Sequence, residues 1–318
     1  MVLAVLALAA ALASPPDPLE PYAQPARLVP LAGGRALNLI CMGQGAPTVV
    51  LEAGWSSWSL DWAPIQAHLA ETTRVCAYDR AGLGFSPADP KPKTLDTVVA
   101  DTTQMLERAG IDGPLVLVGG SKGAVFVRAF AAAHPERVAG LVLIDPGSPE
   151  RDEAFLALDA EGEAKARIEI DAMLARCVDQ ARAGSEGPQD AFCAYDGEAN
   201  WPPALKTAYQ ALQHSVAYAE TRRAEIAIDN ALPAAVRGPG ALGDRPLIVL
   251  KADDPLSKAI PEPRRTQLDA IEKAVAADLA RLSRRGQLRI VEKSGHMVVQ
   301  DRPDAVVEAV RAVVAAAR

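Results

Sequence analysis

The chain is poor in the residue types that announce specialised chemistry. Histidine and cysteine occur 4 times each in 318 residues. No two cysteines stand in C-x-x-C spacing, and no histidine and carboxylate cluster has ligand spacing, so neither a metal nor an organic cofactor is expected. Positive charge is scarce as well. The 33 Lys and Arg against 40 Asp and Glu leave a net charge of -7, which excludes the basic surface that a nucleic-acid partner needs. The pairs Arg264-Arg265 and Arg284-Arg285 read as solvated helix faces. Aromatic residues make up 4% of the chain, so its 49% of hydrophobic residues must build a core mainly from Ala, Val and Leu.

A long apolar span is missing too. The run Val2 to Ala13 falls short of the roughly 20 residues that cross a bilayer, and no stable membrane span is expected. It ends Ala11-Leu12-Ala13 before Ser14-Pro15-Pro16, the small-residue pattern of a secretory cleavage site, although no Lys or Arg precedes it. Residues 1–13 therefore read as a signal peptide and the Pro-rich residues 14–26 as a linker, giving an exported (periplasmic or secreted) protein. No cysteine follows the cleavage point to carry a lipid. The four cysteines permit three pairings or four reduced thiols. Cys41 and Cys76 each fall in an expected strand, and Cys177 and Cys193 share the long segment after Asp145, so the expected disulfides are Cys41–Cys76 and Cys177–Cys193.

From residue 27 onward a hairpin leads into strands alternating with helices, the pattern of a mostly parallel sheet covered on both faces. Strands are expected at 27–31, 36–42, 48–52, 74–78, 115–118, 140–144, 246–250 and 287–291, with helices at 61–70, 94–109 and 124–134. Pro135 ends the last of these, because a proline disfavours helix at the residue before it. The fold class is α/β, an eight-stranded, mostly parallel, doubly wound sheet. Its core is drawn from 27–145 and 246–318. Residues 146–245 have helical periodicity and emerge from the C-terminal end of a strand, where open parallel sheets place their sites, so they read as a helical cap.

The most informative stretch is Leu115-Val116-Leu117-Val118-Gly119-Gly120-Ser121-Lys122-Gly123, an apolar strand that runs into a glycine-flanked serine with a helical segment directly behind it. A serine oxygen is a weak nucleophile unless a tight turn holds it where a base and a substrate reach it. The plain alternative is a strand-to-helix loop with Ser121 as helix N-cap. Of the four histidines, His296 stands apart. It follows the last expected strand in Ser294-Gly295-His296-Met297, on a loop opening at the same sheet edge as Ser121, whereas His68 and His134 lie on helices and His214 in the cap.

Together these segments resemble the α/β-hydrolase superfamily. Gly119-Gly120-Ser121-Lys122-Gly123 is similar to its G-x-S-x-G elbow and Ser294-Gly295-His296 to its late histidine loop. Leu51-Glu52-Ala53-Gly54-Trp55 resembles the loop after the third strand, and Asp79-Arg80-Ala81-Gly82-Leu83-Gly84-Phe85-Ser86 resembles its D-x-x-G-x-G-x-S turn. The resemblance implies Ser121 as nucleophile, His296 as base, and the backbone N–H groups of Trp55 and Lys122 as oxyanion hole. For the acid it leaves open Asp254, which with Asp253 follows the seventh strand and is preferred, and Asp145, which ends the sixth. The Lys122 ammonium is expected to point into the cap and pair with a carboxylate there, or else to attract acidic substrates.

The function implied is a serine hydrolase that cleaves a small-molecule carboxylic ester, or a related acyl compound, through an acyl-serine intermediate. A cofactor-free perhydrolase or a carbon–carbon bond hydrolase on the same residues, and a catalytically silent binding protein on the same scaffold, are the alternatives. Trp201, Tyr195, Tyr209 and Phe192 are expected either to line a pocket or to form the core of the cap, and at least one of Trp55, Trp58 and Trp62 to form a pocket wall.

Overall fold

The structure is a computed structural model that describes residues 17–89, 91–184, 192–254, 256, 258 and 260–318. The expected signal peptide lies outside these residues. The described residues form an eight-stranded sheet of β1 (Leu28–Pro30), β2 (Ala36–Met42), β3 (Thr48–Glu52), β4 (Val75–Tyr78), β5 (Leu115–Gly120), β6 (Val138–Ile144), β7 (Leu247–Ala252) and β8 (Gly286–Val291). Their spatial order is β1-β2-β4-β3-β5-β6-β7-β8. The β1–β2 and β2–β4 pairs are antiparallel and all later pairs parallel. Cys41 on β2 stands opposite Cys76 on β4, and the two form a disulfide.

The central strands are apolar without interruption because both faces are covered. On β5, Leu115 and Leu117 join one core while Val116 and Val118 join the other; β6 divides Leu141 and Leu143 from Val142 and Ile144 in the same way. This is the two-residue period of a strand read out on two buried faces. The helices α1 (Ala63–Ala70), α2 (Leu95–Arg108) and α3 (Gly123–Ala133) follow in sequence. On the first face lie α2 and α3, with Met105, Leu106, Val127 and Phe130 in the core. On the second, Ile65 and Leu69 of α1 pack with Val306 and Val310 from further along the chain. Thr94 caps α2 in a reciprocal capping box with Thr97, and α3 stops at His134, before Pro135.

Between β6 and β7 the chain forms α4 (Pro149–Leu158), α5 (Ala160–Ala183), α6 (Pro203–Gln213) and α7 (Val216–Ile226). Cys177 on α5 is bonded to Cys193. Trp201 and Tyr209 meet edge to face at 4.9 Å, and Tyr209 meets Trp58 of the sheet domain at 5.5 Å, joining the insertion to the core through one aromatic cluster. The chain ends with α8 (Arg264–Ala280), α9 (Val298–Asp301) and α10 (Pro303–Ala316). Arg284 and Arg285 lie in the turn before β8 rather than on a helix, and Arg264 pairs with Asp159 at the start of the insertion. Among the described residues no helix is long and apolar enough to cross a membrane.

The glycine-rich turn after β4 is organised by Asp79. Its carboxylate, fully buried, accepts from the backbone of Ser59 and of Phe85 and from Asn38, each at 2.9 Å, while Ser86 Oγ donates to its carbonyl at 2.6 Å. A Cβ at Gly84 would lie 2.4 Å from that carboxylate, so the motif needs glycine there.

Candidate active site

The sharp turn at the end of β5 carries Ser121 in the left-handed region, with φ +50°. A side-chain-bearing residue adopts this conformation at a cost that its surroundings must meet. They do so with three backbone bonds: Ser121 N–H donates to Ile144 at 2.9 Å, and the Ser121 carbonyl accepts from Ala124 and from Gly147, each at 3.0 Å. Close approach does the rest. A Cβ at Gly119 would sit 2.6 Å from the Gly123 carbonyl oxygen, and one at Gly123 only 2.3 Å from that of Glu52.

His296 stands on the loop after β8, next to the serine. Its Nε2 is 3.0 Å from Ser121 Oγ and its Nδ1 is 2.5 Å from Asp145 Oδ2. Asp145 follows directly on β6, itself at φ +37°. Its other oxygen, Oδ1, accepts from Lys251 Nζ at 2.5 Å and from the backbone of Ala252 at 3.2 Å. Burial alone would raise this carboxyl, but the hydrogen bond from His296 and the charge of Lys251 outweigh it and hold the group below the usual aspartate range.

The expectation that Asp254 faces His296 is corrected by this geometry. Asp254 is near enough for its N–H to donate to the Ser294 carbonyl at 3.1 Å, yet its half-exposed carboxylate turns away and pairs with Arg265. Asp253 is exposed. Lys122 does point into the insertion, but what it meets is neutral. Its Nζ donates to Asn230 Oδ1 at 3.0 Å and to the Ile228 carbonyl at 3.3 Å, and Asn230 Nδ2 donates in turn to Asp152 at 2.8 Å. Burial pulls the Lys122 ammonium down to about 8.

The loop after β3 lies against the serine: a Cβ on Gly54 would come 3.3 Å from Ser121 Cβ. It is held from behind by Arg80. The Arg80 guanidinium donates to the Ala53 carbonyl at 2.8 Å and the Gly54 carbonyl at 2.7 Å, to Glu52 at 2.6 Å and to both oxygens of Glu225 at 2.7 and 3.0 Å. Since C=O and N–H of a trans peptide point in opposite directions, fixing the Gly54 carbonyl on Arg80 turns the Trp55 N–H away from it. The insertion closes the arrangement. Glu225 on α7 accepts from Ser56 N–H at 3.2 Å, and Trp55 Nε1 donates to the Arg222 carbonyl at 2.8 Å. Burial lifts the Glu52 carboxyl to about 7 even with Arg80 beside it, whereas for Glu225 the Arg80 charge outweighs burial and lowers the group.

Neither this clamp nor Lys251 was singled out from the sequence. A signal existed in each case: a lysine inside the apolar run Leu247 to Ala252, a glutamate closing an apolar strand at 52 and an arginine inside the Asp79 turn all require buried partners.

An open pocket of about 190 Å³ adjoins Ser121 and His296, walled by Trp55, Trp62, Ile144, Val298 and Val299 among others. Among the described residues its lining has none from the insertion, so Trp201, Tyr195, Tyr209 and Phe192 do not line it. Trp55 and Trp62 do, while Trp58 joins the cluster with Tyr209. Among the described residues no group of three His, Cys, Asp or Glu is arranged to hold a metal ion.

Residues 47–182 match the family profile described as alpha/beta hydrolase fold. The chain is 36% identical over 146 residues to "Lipase LipV" of Mycobacterium tuberculosis, covering 45% of this chain and 49% of that protein. It thus spans about half or less of the length of the curated relatives it matches. Among solved structures, an esterase from Thermogutta terrifontis superposes with a TM-score of 0.59 at 20% identity, over 92% of this chain and 99% of that one. An enol-lactonase from Burkholderia xenovorans gives 0.56 at 22% identity, over 89% and 98%. The sheet order and the matched profile define an α/β-hydrolase fold. Over residues 47–182 the chain is similar to the α/β-hydrolase superfamily.

Proposed function

We propose that the chain is a serine hydrolase that cleaves a carboxylic ester, or a related acyl compound, through an acyl-serine intermediate. The observation that carries this reading is the pair of contacts made by one ring, His296 Nε2 to Ser121 Oγ at 3.0 Å and His296 Nδ1 to Asp145 Oδ2 at 2.5 Å. Ser121 is the nucleophile and His296 the base that takes its proton. Asp145 fixes the ring with Nδ1 protonated and stabilises the imidazolium that forms. The N–H groups of Trp55 and Lys122 receive the negative oxygen of the tetrahedral intermediate, where the loss of one such donor costs about 3 kcal/mol of barrier. His296 then returns its proton to the leaving alcohol, and the same ring activates the water that frees the acid.

The similarity to a lipase and to an esterase supports ester chemistry. Residues 146–245 act as the cap. The two disulfides support a protein exported to an oxidising compartment, in keeping with a signal peptide at 1–13. The test is mass spectrometry after incubation with a fluorophosphonate, which traps activated serines, with Ser121→Ala as control. Labelling confined to Ser121 is expected; a folded protein that takes no label sinks the reading.

A further inference from the structure

The pocket beside Ser121 contains an acid that the acyl chemistry does not use. Asp61 lies in the 3-10 turn Ser59–Trp62 and lines the pocket with Ser57, Trp55 and Trp62. Its carboxyl is hydrogen-bonded to Ser57, and among the described residues no Lys, Arg or His nitrogen comes within 4.0 Å of it. Arg80 is close enough to be felt, but it is fully engaged: its Nε and both terminal nitrogens already donate to Glu225, Glu52 and the Ala53 and Gly54 carbonyls. Burial consequently pushes the Asp61 carboxyl upward.

Asp61 is partly buried and lacks a counterion, an arrangement that a ligand cation relieves. The surrounding walls suit such a ligand. The indoles of Trp55 and Trp62 lie in the lining, where aromatic rings attract ammonium groups, one side of Trp55 being faced by the Arg222 guanidinium at 5.3 Å, and Ile144, Val298 and Val299 add hydrocarbon. A net charge of -7 draws cations toward the molecule as a whole.

We propose that this pocket selects acyl compounds carrying a positively charged amine, with the Asp61 carboxylate as counterion and the Trp55 and Trp62 rings as walls. The proposal rests on the acyl-serine reading of Ser121 for the reaction, though not for the binding. Two esters of equal shape test it: the p-nitrophenyl ester of 4-(trimethylammonio)butanoate and that of 5,5-dimethylhexanoate, in which carbon replaces nitrogen. In the unaltered protein kcat/KM should favour the cationic ester by about tenfold, and Asp61→Asn should bring the two within about twofold. A ratio of one or less in the unaltered protein, which needs no variant to fold, overturns the proposal; so does a preference that survives Asp61→Asn. Fluorophosphonate labelling in the same preparations keeps the two ideas apart, since labelled Ser121 with no cation preference removes the selectivity and leaves the nucleophile standing. If Ser121 takes no label, calorimetry with butyltrimethylammonium decides the binding: it should bind the unaltered protein and weaken about tenfold in Asp61→Asn, and no binding overturns it.

Discussion

Lys251 donates to Oδ1 of Asp145 at 2.5 Å, on the oxygen that His296 leaves free. The acid is thereby gripped from both sides, with the ring on Oδ2 and a buried ammonium on Oδ1. Lys251 is in turn held by Glu272 at 2.8 Å, and Glu272 by Arg151 of α4 at 2.5 Å.

If Asp145 is the acid that orients His296, Asp145→Asn should lower kcat by on the order of 10⁴ with little change in KM, because the amide favours the wrong tautomer of the ring. Asp254→Asn, which loses a partly exposed pair with Arg265, should leave kcat within about twofold. Steady-state kinetics on one chromogenic ester checks both, and equal losses would remove the distinction.

Removing the ammonium leaves two buried carboxylates without their shared cation. Lys251, 1% exposed, is the residue to change. Lys251→Met should destabilise the protein by about 3–5 kcal/mol in equilibrium urea unfolding. A loss under 1 kcal/mol would mean that the network contributes little.

Lys122 should show itself in the pH dependence of stability. Its folded value is about 8 against an ordinary 10.5, so between these limits the unfolded chain holds a proton that the folded chain has released, and stability rises with pH. Lys122→Met lacks this rise. The stability of the variant relative to the unaltered protein should therefore fall by on the order of 3 kcal/mol from pH 8 to 10.5, as followed by urea unfolding across that window. A constant difference would contradict it.

Gly123→Ala should fail at the turn, since its Cβ would meet the Glu52 carbonyl oxygen at 2.3 Å, whereas Gly113→Ala meets nothing within 4 Å. Thermal melts should show the first well below the unaltered protein and the second within about 0.5 kcal/mol of it. Fluorophosphonate labelling should fall with the first alone.

Arg80→Lys keeps the charge and loses the fork that binds two carbonyls and two carboxylates at once. With the Gly54 peptide released, kcat should drop about 100-fold, near the cost of one oxyanion donor, with the smaller change in KM. An unchanged kcat would separate the clamp from the chemistry.

Most of the fold was legible because both sheet faces are covered and the central strands therefore read as unbroken apolar runs, as Leu115 to Val118 does. The turn that holds Ser121 was legible from the glycines at 119 and 123, and the loop that brings His296 within 3.0 Å of it from its position after the last strand. Which carboxylate meets His296 was less so. Asp145 and Asp254 both follow strands at the correct sheet edge, and what divides them is the direction of a side chain, set by partners distant in sequence: Lys251 for the one, Arg265 for the other. The clamp on the Gly54 carbonyl was hidden for the same reason, because its halves, Arg80 and Glu225, lie 145 residues apart.

That clamp bears on anyone who would exchange the insertion for another to obtain a new specificity. Glu225 and the Arg222 carbonyl would leave with the old helices, and Arg80, Ser56 and Trp55 would each lose a partner. A transplanted segment has to bring an acid and an acceptor to the same two places, or the graft will fold over a loop that no longer keeps its shape.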